Sequence, residues 1–163
     1  MRTLQVSNFG APTDVVELVE VDSADPGPGR LAVSIEAAPI NPSDLNLIRG
    51  IYGVRPDLPA ALGAEGVGRV VAVGDGVEQS RVGTRVLVVP TLEQATWREQ
   101  TVLDERNAVP VDLDGDPLQL AMLGINPMTA YCLLRGHVKL APGAASGAGR
   151  RRSRSRDRRW PWR

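Results

Sequence analysis

Glycine and proline cut this chain into short pieces, and that punctuation limits its fold more than any other feature. Turn signals recur at Asp25-Pro26-Gly27-Pro28-Gly29, Asn41-Pro42, Gly74-Asp75-Gly76, Asp116-Pro117, Asn126-Pro127 and Pro142-Gly143. The 17 Gly and 13 Pro make about 18% of the chain, against a usual level near 12%. Short strands and turns are expected, and long helices are not. The length of 163 residues suits one domain with a small appendage, enough to bury about two-thirds of the unfolded surface. With aromatics at only 4%, the core must be aliphatic, mostly Val, Leu and Ala.

The segments between those turns read as strands first. Arg2 to Phe9 alternates loosely, and Val15 to Val21 and Leu31 to Ala37 carry the period of half-buried strands. Asn41-Pro42 has the form of a helix N-cap followed by proline at the first helical position, with Gly50 placed to end that helix. Val67 to Val73, Arg81 to Val89, Trp97 to Leu103 and Asn107 to Val111 complete a set of closely spaced strands, the pattern of a barrel or sandwich. Asp116-Pro117 caps a helix carrying Leu118, Leu120, Ala121 and Leu123, and Asn126-Pro127 interrupts it and starts a second, closed by Gly136.

Composition then excludes several classes. No apolar run approaches the roughly 18 residues of a membrane helix, and Met1 to Val6 has no signal-peptide core. One cysteine, Cys132, allows neither an internal disulfide nor a Cys-rich zinc lobe. A cytoplasmic, metal-poor protein is expected. The net charge of zero hides a division. From Arg150 to Arg163 there are eight arginines and one acid, Asp157, for a net of +7, while residues 1–149 carry a net of −7. An acidic body is joined to a basic tail. Beyond Gly143 the chain is Ala, Ser, Gly and then Arg-rich, so no core element is expected there.

Seven segments, in order, resemble the zinc-independent branch of the medium-chain dehydrogenase/reductase superfamily, and within it the 2-enoyl thioester (enoyl-CoA or enoyl-ACP) reductases. They are Asn41-Pro42-Ser43-Asp44-Leu45-Asn46, Ile48-Arg49-Gly50-Ile51-Tyr52-Gly53, Pro56-Asp57-Leu58-Pro59, Gly63-Ala64-Glu65-Gly66-Val67-Gly68, Gly74 to Val77, Thr96-Trp97-Arg98-Glu99, and Gly124-Ile125-Asn126-Pro127-Met128-Thr129-Ala130-Tyr131. The resemblance covers roughly residues 1 to 143. It implies a mainly β fold with short helices, a GroES-like β-barrel of the alcohol-dehydrogenase N-terminal type over residues 1–115. An interdomain helical segment over 116–140 and a disordered basic tail over 141–163 follow. Quinone-oxidoreductase-like members share the Asn-Pro-x-Asp and Arg-x-Gly-x-Tyr patterns. Thr96-Trp97 and the Asn126-to-Tyr131 segment are closer to the thioester reductases.

The resemblance also implies roles. Reducing an enoyl thioester requires a hydride at the β-carbon and a proton at the α-carbon; NADPH supplies the first. The tyrosine of the Gly-x-Tyr segment supplies the second in the family, and it falls on Tyr52. Read without the resemblance, Tyr52 is a loop aromatic between Gly50 and Gly53. Asn41 is a cofactor-binding candidate, with a helix cap as its other reading. Asn126 and Thr129 lie near the nicotinamide in relatives, with helix capping as the alternative. Trp97 walls the acyl channel or is a barrel core residue. Zinc is not expected. Ala64 occupies the position of the zinc enzymes' histidine, residues 38–40 are Ala-Pro-Ile, and a catalytic zinc requires three protein ligands. Glu65 then reads as a buried structural acid, and His137 and Cys132 as packing residues.

Relatives continue past Pro142-Gly143 into a Rossmann domain, which opens with an apolar strand and a glycine turn at a helix N-terminus. Here Gly143 to Gly149 has no useful strand before it and Arg150-Arg151-Arg152 after it. The Rossmann domain is expected to be absent, and the chain to be an inactive truncation. The tail has the composition of a GC-rich gene read out of frame. A competing account is a non-enzymatic scaffold whose Arg-Ser repeats, with Trp160 and Trp162, bind nucleic acid. The expected partner is an enoyl thioester, with no membrane; relatives are often dimeric, and the oligomeric state of this chain is open.

Overall fold

The computed structural model describes residues 1–91 and 95–136. The expected tail and His137 lie outside the described residues.

The chain opens with β1 (Arg2–Val6), the short helix α1 (Pro12–Val15) and β2 (Val16–Glu20). β1 and β2 form an antiparallel pair, with Arg2 opposite Glu20 and Val6 opposite Val16. Then come β3 (Arg30–Ala37), α2 (Pro42–Ile48), β4 (Ala60–Ala61), β5 (Gly66–Val73), β6 (Arg85–Val88), β7 (Gln100–Asp104) and β8 (Ala108–Pro110). The helices α3 (Pro117–Leu120) and α4 (Asn126–Gly136) end the described chain.

Two antiparallel sheets result. One has the order β2-β1-β4, the other β7-β3-β5-β6-β8. The fold is mainly β with short helices, as expected, but the barrel does not close. The segment 96–98 links the sheets instead: Trp97 N–H donates to the Leu62 carbonyl at 2.9 Å, the Trp97 carbonyl accepts from Leu4 N–H at 2.9 Å, and Thr3 bridges to Arg98.

Aliphatic side chains fill the larger sheet. Leu31, Val33, Val70, Val86, Val88 and Leu103 form one buried cluster. A second cluster, Val6, Ile48, Ala60 and Leu62, lies where β1, β4 and α2 meet. A third joins Val67 of β5 to Leu120 and Ala121.

Some boundaries differ from the sequence reading. The strand expected over Arg81 to Val89 begins only at Arg85, because Gln79–Arg81 is a 3-10 turn and Gly83 takes a left-handed φ of 86° that no extended strand holds. The helix expected after Asp116 is a single turn, capped by the Asp116 carboxylate accepting from Leu118 N–H at 3.0 Å. The apolar residues expected on it split: Leu120 and Ala121 are buried against β5, whereas Leu118 is exposed. The chain divides into two units, Met1–Thr129 and Ala130–Arg163.

Candidate functional site

The site begins at the N-terminus of α2. Proline at its first position has φ already fixed for a helix and no N–H to leave unpaired, and Asn41 and Asp44 make a capping box around it. The Asp44 carboxylate accepts from Asn41 N–H at 2.7 Å. Asp44 is buried, and burial pushes its carboxyl above the usual carboxylate range against the opposing pull of hydrogen bonds from the Asn41 and Ala64 backbones.

Glu65 is the centre of the arrangement. It is 1% exposed, and each of its carboxylate oxygens has a donor. Oε1 accepts from Asn41 Nδ2 at 2.9 Å and Oε2 from Ile125 N–H at 2.8 Å. Its carbonyl accepts from the Thr96 hydroxyl at 2.7 Å. One side chain therefore ties the start of α2 to the turn that enters α4, at separations of 24 and 60 residues. Gly124 makes this approach fit, since a Cβ there would stand 2.9 Å from Glu65 Oε2. After the single helical turn, Met122 N–H and Leu123 N–H make turn bonds to the Gln119 and Leu120 carbonyls before Ile125 reaches the carboxylate.

Beside this pair lies a cavity of about 420 Å³. Asp44, Leu47, Tyr52, Val54, Leu62 and Ile125 are among its lining residues. Its wall is mostly aliphatic with a few polar groups, the usual make-up of a small-molecule site. Tyr52 sits at the opening, 42% exposed, and among the described residues its hydroxyl has no hydrogen-bond partner.

The other candidate residues are distributed differently. Asn41 is beside the cavity, but its amide is committed to Glu65. Thr129 is exposed and its hydroxyl donates to the Ile125 carbonyl at 2.9 Å, one turn back in the chain. Asn126 is exposed at the start of α4. Trp97 packs against the cluster around Ile48 and Leu62, and its Nε1–H donates to the Pro39 carbonyl at 3.0 Å. Neither Trp97, Asn126 nor Thr129 lines the cavity.

The sequence reading missed Asp44 and Ile125 as site residues. The first carried a signal, because an acid three residues after an N-cap is half of a capping box. The second carried none, since a main-chain N–H has no sequence signature.

The profile of the alcohol dehydrogenase GroES-like domain matches residues 27–136. The chain belongs to that family. Bovine mitochondrial enoyl-[acyl-carrier-protein] reductase is 43% identical over 143 residues, which cover 87% of this chain and 38% of the relative. The structure of Escherichia coli quinone oxidoreductase complexed with NADPH superposes with a TM-score of 0.75 at 29% identity, over 83% of this chain and 40% of that one. An Etr1p/NADP/crotonyl-CoA complex superposes with a TM-score of 0.73 at 27% identity, over 87% of this chain and 45% of that one. The GroES-like chain thus spans about two-fifths of the length of the relatives it matches.

Among the described residues no group of three or more His, Cys, Asp or Glu is arranged to hold a metal, and no helix is long and apolar enough to cross a membrane. The pyrophosphate of a dinucleotide needs a cradle of free backbone N–H groups at a helix start. The described residues do not fit that need. Pro42 and Pro127 have no N–H, Ile125 N–H is taken by Glu65, and the Asp44 carboxylate stands at the start of α2.

Proposed function

We propose that this chain is the substrate-side domain of an NADPH-dependent, zinc-independent enoyl thioester reductase, the type that converts a trans-2-enoyl-CoA or enoyl-ACP to the acyl thioester. The observation that carries the reading is Tyr52 at the mouth of an aliphatic cavity in a chain 43% identical to an enoyl-[acyl-carrier-protein] reductase.

The hydride of this reaction belongs to the cofactor, for which the described residues offer no pyrophosphate cradle. What the chain's own residues do is the other half. The aliphatic wall, with Leu47, Val54, Leu62 and Ile125, takes the acyl chain out of water. In this reading Tyr52 Oη–H gives a proton to the α-carbon as negative charge develops there. The buried contacts of Glu65 with Asn41 and Ile125 hold the two walls of the cavity at a fixed separation. In a catalytically complete enzyme carrying this domain, Tyr52→Phe lowers kcat by roughly 10²–10⁴-fold, the scale for a positioned acid, and changes KM much less.

A second reading, a quinone-oxidoreductase-like role, draws support from the fold likeness to the Escherichia coli enzyme. Calorimetric titration of the chain with crotonyl-CoA and with a small benzoquinone separates the two. Saturable heat with the thioester alone supports the reductase reading, and heat with the quinone alone supports the second.

A further inference from the structure

We propose that Arg55 is a positioning residue for Tyr52, clasping the loop that presents the tyrosine to the cavity. The proposal rests on the role given to Tyr52 above.

The loop needs such a clasp. It leaves α2 with Gly50 N–H donating to the Leu47 carbonyl at 2.9 Å and Ile51 N–H to the Asn46 carbonyl at 3.0 Å. From Tyr52 to Pro59, among the described residues, the main chain makes no backbone hydrogen bond. A segment without a ladder is free to sample many conformations, and a catalytic hydroxyl there is useful only if its approach is fixed.

Arg55 supplies the missing constraint. Its Nε–H donates to the Gly50 carbonyl at 2.9 Å, which closes the loop on itself around Tyr52. Its guanidinium carbon lies 5.5 Å from the centroid of the Phe9 ring, within the range of a cation–π contact. Phe9 in turn is held against the same loop. Gly10 N–H donates to the Ile48 carbonyl at 3.0 Å, and Gly50, at φ 71°, leaves so little room that a Cβ there would stand 2.9 Å from Phe9 Cγ. Phe9, Gly50 and Arg55 therefore interlock two separate segments. Tyr52, Val54 and Pro56 line the cavity, and Arg55 does not. The residue that anchors the loop thus leaves the cavity face to the residues that meet the substrate.

The test uses backbone ¹⁵N relaxation on the 163-residue chain, as wild type, Arg55→Ala, Arg55→Lys and Phe9→Leu, with crotonyl-CoA titrated into each. Arg55→Ala is expected to drop the order parameters of residues 52–58 from rigid values toward about 0.6. It should also weaken crotonyl-CoA binding by roughly 3–10-fold, a modest fraction of what a fixed approach contributes, with little change in the unfolding midpoint. Arg55→Lys, which keeps the cation and a donor, restores most of both, and Phe9→Leu falls between. Unchanged order over 52–58 in Arg55→Ala, or equal losses in Arg55→Ala and Arg55→Lys, overturns the clasp. A wild-type loop that loosens in Arg55→Ala while no variant binds the thioester leaves the clasp standing and overturns the role of Tyr52 instead.

Discussion

Asn41 donates its side-chain amide to Glu65 Oε1 at 2.9 Å inside the protein, and the second oxygen of the same carboxylate is held by Ile125 N–H at 2.8 Å. A buried carboxylate with a donor on each oxygen is stable only while both donors remain. Glu65→Leu removes both acceptors and leaves the Asn41 amide and the Ile125 N–H without the oxygens they bond. The expected loss is about 1–3 kcal/mol, read as a lower urea midpoint at unchanged slope.

Gly124 is tested through the same carboxylate. A Cβ there lies 2.9 Å from Glu65 Oε2 and 3.4 Å from Glu65 Cβ. Gly124→Ala should destabilise by about 1–3 kcal/mol, the range for overpacking. Because both changes disturb the Glu65–Ile125 bond, the double variant Gly124→Ala/Glu65→Leu should lose less than the sum of the singles. Strict additivity in a denaturation cycle would show that the two act separately.

Two glycines separate backbone strain from crowding. Gly63 has φ 98° and Gly76 has φ 82°. A Cβ on Gly76 meets open space, whereas one on Gly63 meets Trp97 N at 2.7 Å as well as the Trp97 ring and the Thr96 hydroxyl. Gly76→Ala should cost about 1 kcal/mol from its left-handed backbone. Gly63→Ala should cost about 3 kcal/mol or more, as strain and overpacking combine. Equal thermal shifts for the two would contradict the packing described around Trp97.

Much of this fold was legible in the sequence, because its signals are local. Asn41-Pro42 announced α2, and Gly50 beyond it takes the left-handed φ of 71° expected after a helix end. β3 and β5 followed their alternation. β4 escaped because two residues, Ala60–Ala61, are too few to show a period. Tyr52 was legible only through the motif around it. The link from Glu65 to Ile125 was not, since no pattern says which of many N–H groups will meet a buried acid across 60 residues. Leu120 likewise reads as one of several apolar helix residues, and no local signal says that it packs on Val67.

Asp44 gives the chain a pH signature. Its folded carboxyl is raised by burial, so its contribution to stability is full below the ordinary carboxylate range and is lost as pH rises through the raised value. Asp44→Asn removes that titration. The stability of the wild type relative to Asp44→Asn should fall as pH is taken from about 3.5 to 7, beyond the ordinary value near 3.9. Urea unfolding of both chains across that range reads the difference, and a constant or rising difference would contradict the burial of Asp44.

The cofactor side carries its own prediction. Titrated with NADPH and followed by nicotinamide fluorescence, the 163-residue chain should show no saturable binding at micromolar cofactor, and it should not reduce crotonyl-CoA. The reason is the lack of a pyrophosphate cradle among the described residues. Micromolar binding with steady turnover would place a cofactor site where none is described.

The central claim is that Tyr52 and its cavity receive an enoyl thioester. The most direct measurement is ¹³C-tyrosine and ¹⁵N NMR of the chain titrated with crotonyl-CoA, with butyryl-CoA as the saturated control. The account predicts saturable shifts at Tyr52, Asp44, Leu47, Val54 and Ile125, and none at Tyr131. Shifts that bypass Tyr52 and the residues lining its cavity, or no saturable shift at all, would contradict it.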